Sequence, residues 1–477
     1  MITFIICLAC LITAYFTYGK YLEKVAGADN SRTTPVSRLA DGVDYIPMPR
    51  WKVFLIQLLN IAGTGPIFGA ILGACFGPVA FLWITLGGIF FGAMHDYFSG
   101  MMELRHDGKS LPEVAGIYLG NGMKNVMRYF SVLLMVLVGA VFLLSPAQLL
   151  GSMVPAISTN LWVWIILIYY IIATMLPIDK VIGKCYPIFG AALIFMAVGL
   201  LVAIFADGLP VPELTTLHNF QLNPEALPII PTLFITIACG AISGFHATQS
   251  PMMARCVGSE KECRSVFYGA MISESVIALI WAAIAMAFFG DPTQLNEALA
   301  ANDNNAAWAV NEISVGTMGK VGAVLALLGV VVAPITSGDT AFRSARLIIA
   351  DMTGIDQRPI RKRFLICLPL FVVGYCITLV DFGIVWRYFA WANQTLAAAV
   401  LWSIYVWLFL RGKNVWIALI PAIVMTYVVS SFIFISPQFL GMENRLTAYI
   451  LGGVTTAAIT AFAVICARSR KAGGMTE

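Results

Sequence analysis

Among the apolar runs of this 477-residue chain, the densest set of chemically capable side chains lies in Leu233–Pro251, LFITIACGAISGFHATQSP. Gly240, Ser243 and Gly244 are poor helix formers, His246, Thr248, Gln249 and Ser250 are polar, and Pro251 is expected to close the run. In hydrocarbon an unpaired backbone amide or carbonyl costs several kcal/mol, so such a break must line a cavity or be wrapped in protein. Interrupted helices hold substrates and ions in transporters; a Gly-rich helix crossing is the alternative. A second break is read at Asn60–Gly69, NIAGTGPIFG, where Gly63, Gly65 and Pro66 interrupt an apolar run. A half-helix restarting near Pro66 offers free N–H groups and a positive dipole end, which suit a carboxylate. The candidate substrate groups are therefore Gly63, Thr64, Gly65 and Pro66 in one break and Gly240, Ala241, Ser243, Gly244, His246 and Gln249 in the other.

Other buried-acid and hydroxyl candidates surround these. Glu274, in FYGAMISESVIAL, is placed about two turns into the membrane, where an ionised carboxylate must be paired or protonated. It reads either as a proton carrier or as the partner of an inside Arg. His95 and Asp96 are read near the inside end of their helix, as a gate pair, a proton route or a polar cap. Thr336, Ser337 and Asp339 follow Pro334; hydroxyls with freed carbonyls suit Na⁺, and Asp339 could carry a proton or pair with Arg343 one turn on. Lys184 is either an interfacial Lys or a buried amine standing where a sodium would. Asn393 and Gln394, in WRYFAWANQTLAAA, are read at mid-membrane as substrate contacts or interhelical glue.

What must position them is a membrane bundle. The chain is 60% hydrophobic and 11% charged, against about 25% charged in soluble domains. An all-α polytopic protein follows, with about 13 transmembrane helices: Ile2–Gly19, Val53–Cys75, Val79–Ser99, Tyr129–Leu149, Leu161–Leu176, Tyr186–Ala206, Ile229–Ser250, Val266–Phe289, Gly319–Thr340, Phe364–Val380, Ile384–Leu410, Val415–Ile435 and Leu446–Ala467. No Lys or Arg precedes the first span, which argues against a cleaved signal peptide. The basic residues place the N-terminus outside and the C-terminus inside: 26 of the 29 fall on the inner side, and only Lys320, Arg387 and Arg445 outside. The polar segment Tyr21–Lys52, with Pro35, Pro47 and Pro49, reads as an extended inside loop. The breaks fall in the second and seventh spans, five apart, so their helices run oppositely. One membrane domain, 1–477, is therefore divided into an N-terminal helix and inside loop (1–52), a five-helix repeat (53–206), an inverted second repeat (229–410) and two C-terminal helices (411–477). This is a LeuT-like 5+5 arrangement with two broken helices and added helices.

Enzyme chemistry lacks its motifs. There is no GxxxxGK[ST] and no HExxH, and only four His are present. No cofactor or metal is expected, and no nucleic acid; the partners are the lipid bilayer and a small-molecule substrate, with oligomeric state open.

DGVDYIPMPRWK, NIAGTGPIFG, GAMHDYFSG with RHDGKSLPEVA, PTLFITIACGAISGFHATQSP, SGDTAFRSAR and FAWANQTLAAA together resemble the carbon starvation protein A (CstA) family, over about Asp41 to Leu410. The resemblance implies a multi-pass transporter of the bacterial cytoplasmic membrane, in the LeuT-like amino acid/polyamine/cation superfamily, taking up pyruvate or short peptides during carbon starvation. A starvation sensor or a channel are the alternatives. It also bears on the coupling ion, H⁺ or Na⁺. In LeuT-like folds a sodium site lies between the first and eighth core helices, here near Ile61–Gly63 and Thr336 with Ser337. Proton-coupled relatives place a Lys on the fifth core helix, which here carries Lys184. Glu274, Asp339 and His246 are the proton candidates.

Overall fold

The computed structural model describes residues 1–41, 44–175, 178–355 and 359–473, with backbone alone for 175 and 178–186. All described regular structure is helical, and helices occupy each of the thirteen expected stretches. Among the described residues nine helices are long and apolar enough to cross a membrane, or ten with one bent pair. That pair is α1 (Arg50–Ile61) and α2 (Gly65–Ala74), inclined by 50°. The other elements that build the site are α3 (Val79–Arg105), α4 (Asn121–Met153), α5 (His246–Ala254), α6 (Gly269–Phe288), α7 (Val332–Thr353) and α8 (Phe382–Leu410).

Burial ranks these helices. In Glu260–Phe288, which contains α6, 83% of the most apolar window is covered by protein, against 22% in the last helix, Arg445–Ala472. The first is central and the second peripheral. Exposed Ile5, Leu133, Phe195, Val372 and Ile465 are the apolar coat expected of a surface whose solvent is lipid. Inside, α2 packs on α6, α3 on α5, and α4 on both α7 and α8. Both broken stretches are thus enclosed.

Four expectations change. The third span does not stop at Ser99. It continues to Arg105 through a π-helical stretch, Trp83–Gly92, which moves His95 and Asp96 from the inside end into the bundle. Pro251 does not close the seventh span; it lies within α5, and the non-helical backbone is Ile237–Phe245. The ninth span runs on to Thr353, so Arg343 and Arg346 are buried helical residues rather than loop residues. The inside segment Tyr21–Lys52 is partly helical, at Tyr18–Ala26 and Pro35–Arg38; Pro35 opens its helix, where a missing N–H costs nothing.

That segment is fastened to neighbouring turns at the same end of the bundle. Arg105 makes two 2.9 Å bonds to the buried Glu260, and the Asp29 N–H reaches the same carboxylate at 2.8 Å. Arg38 pairs with Asp107, whose carbonyl accepts from the Tyr45 hydroxyl.

Candidate transport site at the two helix breaks

The first break forms because Gly63-Thr64-Gly65-Pro66 cannot propagate a helix. The Ala62 N–H still bonds Leu58 O, but the Gly63 N–H turns back to Ile61 O, and Thr64 O starts α2 by accepting from Ile67 and Phe68. Pro66 sits in the first turn of α2, where it is tolerated. Close approach fixes the glycines. A Cβ on Gly63 would lie 2.5 Å from the Phe142 ring, and one on Gly65 would lie 2.3 Å from Cys239 Sγ.

Cys239 belongs to the second break, so the two breaks touch. Gly240 has φ +90° and lies against Pro66, 3.9 Å from its Cα to the position of a Cβ. Asn393 on α8 holds this loop: its Oδ1 accepts from the Phe245 N–H at 2.7 Å, its backbone carbonyl accepts from Gly244, and its amide group contacts Ser243 Oγ at 3.0 Å. The Ile237 carbonyl accepts from the Trp83 indole. Gln394 donates to Phe234 O at 2.9 Å. Both side chains of the Asn393-Gln394 pair therefore stabilise the second broken stretch.

His246 opens α5 directly after the break. Its Nδ1 is 2.8 Å from Asp96 Oδ2, while the other Asp96 oxygen is 2.8 Å from His95 Nδ1. Its Nε2 is 3.3 Å from Glu274 Oε2 on α6, an ion-pair distance without hydrogen-bond alignment. The Cys239 sulfur completes a set with His246 and Glu274 whose donor atoms lie within 4.8 Å of one another. All of these side chains are buried. Two carboxylates flanking one imidazole, out of water, form a unit whose charge depends on how many protons it holds. Glu274 thus has His246, and not an inside Arg, as its partner.

The hydroxyl group of candidates lies on α7. Ser337 Oγ is 3.0 Å from Leu59 O on α1 and 3.0 Å from Ala333 O, and Thr336 Oγ1 donates to Ala333 O. Asp339 is not part of the His246 cluster; Thr174 donates to it at 3.0 Å and Arg343 reaches it at 3.4 Å, while Arg343 also bonds Ala173 O. Gln249 donates to Thr248 Oγ1 at 3.0 Å, and its Oε1 has no partner among the described residues. The Lys184 side chain lies outside the described residues.

Reading the sequence by its breaks missed two further residues. Gln57 and Asn60, on the last turns of α1, are 0% and 1% exposed. All four of their polar side-chain atoms lack partners among the described residues. Each such orphan costs about 1–3 kcal/mol. The available signal was two amides at i and i+3 in an apolar run just before a break. Glu103 on α3 is also buried, with Ser250 of α5 beside it.

Buried carboxylates and an imidazole gather where two interrupted stretches meet, inside a multi-pass helical bundle with an apolar coat. The family model described as "Carbon starvation protein CstA" matches residues 1–156 and 146–321, and the chain belongs to that family. It is 45% identical over 352 residues to an "Uncharacterized membrane protein" of Haemophilus influenzae, covering 63% of this chain and 95% of the other. It is 25% identical to the "Peptide transporter CstA" of Bacillus subtilis, with 84% of each chain covered. With the "Pyruvate/proton symporter BtsT" of Escherichia coli the identity is 26% over 56% of this chain, which spans 46% of that protein. Among solved structures, a manganese transporter of Eremococcus coleocola shares the fold, with TM-score 0.57 and 14% identity over 90% of this chain and 99% of the other.

Proposed function

We propose that this protein is a secondary active transporter that imports a small carboxylate-bearing nutrient, pyruvate or a short peptide, by proton-coupled alternating access across the bacterial cytoplasmic membrane. The observation that carries the reading is the contact between the two breaks, Gly65 against Cys239, with Asp96–His246–Glu274 beside it. In the proposed cycle the substrate carboxylate meets the free N–H groups at the start of α2, around Thr64 and Gly65. A proton taken up between His246 and its carboxylates neutralises part of the buried negative charge. The helices that carry these groups then move against one another, and substrate and proton leave together. The inverted repeats 53–206 and 229–410 supply the two states, with the N-terminus outside and the C-terminus inside. The similarity to the Bacillus subtilis peptide transporter and the Escherichia coli pyruvate/proton symporter supports transport and proton coupling.

One contact favours a second coupling reading. Ser337 Oγ beside Leu59 O brings a hydroxyl of α7 to a carbonyl of α1, the oxygen types that bind Na⁺.

The test is uptake of labelled pyruvate and labelled dialanine into proteoliposomes. An imposed ΔpH in Na⁺-free buffer is expected to drive accumulation, and His246→Ala to abolish it. Uptake only with a Na⁺ gradient, lost in Ser337→Ala, transfers coupling to the α7 site. Absence of counterflow with either probe refutes transport of both classes and favours a sensor. The current discriminates further: pyruvate with one proton moves no net charge, whereas a zwitterionic dipeptide with one proton carries one positive charge inward.

A further inference from the structure

Gln57 and Asn60 sit in a buried helix, and nothing among the described residues bonds their side chains. On α1 successive residues turn by about 100°, so the two side chains share a face, and Leu55 lies on the opposite one. A Cβ on Gly190 would lie 3.1 Å from the Leu55 carbonyl, so that opposite face abuts the helix Pro187–Ala206. Phe54, on one flank, lies near Gly269 at the start of α6. The Leu59 carbonyl, about 40° round from Leu55 on the far side from Phe54, meets Ser337 of α7. The remaining direction is occupied by α5, which packs on α1. That half-helix contributes an orphan of its own among the described residues, Gln249 Oε1. Two half-helices thus pack together carrying buried donors and acceptors that the described residues do not satisfy, immediately inside the break.

We infer that Gln57 and Asn60 are specificity-determining residues of the transport site, and that they hold a ligand group that donates and accepts hydrogen bonds together, as an amide or an α-amino acid does. The inference rests on the transport reading above. Its chemistry lies in the orphan inventory: two NH₂ groups that need acceptors and two carbonyl oxygens that need donors. A 2-oxo acid such as pyruvate offers acceptors only and leaves both carbonyl oxygens unpaired. A ligand with N–H and C=O groups satisfies both kinds. Sites built to bond a polar group reject the analogue that lacks it far more strongly than apolar pockets discriminate by size.

The experiment uses the full chain in proteoliposomes, with labelled dialanine and labelled pyruvate as probes, in wild type, Gln57→Leu and Asn60→Leu. Replacing an orphaned amide by an apolar side chain of similar volume removes a buried polar group without breaking a bond. Both variants are therefore expected to keep or raise their thermal midpoint. The ratio of dialanine to pyruvate transport efficiency is expected to fall about tenfold or more in each. Variants that lose their fold would show that the amides are bonded within the protein, and overturn the inference. So would folded variants with an unchanged ratio; wild-type transport would then leave the parent reading standing. Wild type that moves neither probe overturns transport of both classes, and this inference with it.

Discussion

Gly65→Ala is the sharpest perturbation of the contact between the breaks. The new methyl would sit 2.3 Å from Cys239 Sγ and 2.4 Å from Cys239 Cβ, where ordinary contacts lie at 3.4–4 Å. Rotating the thiol away relieves only the first clash; the second needs backbone to retreat by about an ångström in a close-packed interior. The Cys239 loop has little freedom, because Gly240 abuts Pro66 and Asn393 holds the residues that follow. Overpacking of this kind costs about 1–3 kcal/mol, roughly a 5- to 150-fold change in an equilibrium constant. The second substitution distinguishes geometry from general intolerance. Cys239→Ala keeps the offending Cβ and should not rescue. Cys239→Gly leaves Cys239 Cα as the nearest atom of that residue, at 3.8 Å, and should. A double-mutant cycle of Gly65→Ala with Cys239→Gly therefore has a favourable coupling of about 1–3 kcal/mol, and any flexibility added by the glycine cancels within it. Inactivation half-life in detergent at fixed temperature reads the barrier directly, with uptake as a second readout. Additive effects, or equal rescue by Cys239→Ala, would refute the facing breaks.

Asp96→Asn keeps the shape but removes the charge that meets two imidazoles, and should lower ΔpH-driven uptake about 10- to 150-fold in folded protein; uptake within twofold of wild type would remove Asp96 from the coupling unit. Asn393→Ala should cost about 1–3 kcal/mol through the orphaned Phe245 N–H, read as a shortened half-life, whereas Asn393→Asp, which keeps the acceptor, should lose less. In the short helix Leu111–Leu119, burial raises the pKa of Glu113, but its bonds and charge contacts with Lys124 and Arg128 outweigh this and hold it below the ordinary 4.5. A depressed carboxylate stabilises above its unfolded pKa, so the docking of Leu111–Leu119 should persist at neutral pH and weaken as pH falls below 4.5 through the folded value. Hydrogen exchange of that helix, corrected for intrinsic rates, should show this, and protection independent of pH would contradict it. Cysteines introduced at Ser31 and Thr293 should label from the inside and the outside respectively; Ser31 reacting from outside would invert the proposed topology.

The helical class, the membrane setting and both breaks were legible because glycine, proline and polar residues in apolar runs break hydrocarbon's rules locally. Pairing was not. Nothing in the string HDY says that Asp96 meets His246, because that contact depends on the π-helical stretch Trp83–Gly92 and on a helix running to Arg105. Arg343 is one of the two readings the sequence offers for Asp339, since an i, i+4 pair is written in the spacing, whereas the other contact, with Thr174, is 165 residues away. Pro251 was misread because a proline was taken as a stop; inside a short half-helix it forfeits one bond and is carried along. Gln57 and Asn60 are not legible in the sequence, because what sets them apart is that their amides lack partners among the described residues, which only packing shows.

The fastening of the inside segment sets an order of assembly. Asp29 and Arg105 leave the ribosome 231 and 155 residues before Glu260, the buried carboxylate they share. At about 5–20 residues per second, Arg105 waits roughly 8–30 s for its counter-charge. Until the Glu260 latch exists, the segment is held by the Ala26 and Gly27 carbonyls, which accept from Arg105, and by the Arg38–Asp107 and Tyr45–Asp107 contacts. The latch closes only after the second broken stretch has been made. A chain truncated before Glu260 would leave Arg105 with the Ala26 and Gly27 carbonyls but without its counter-charge, so the same carboxylate that fastens the segment also marks that synthesis has passed the midpoint.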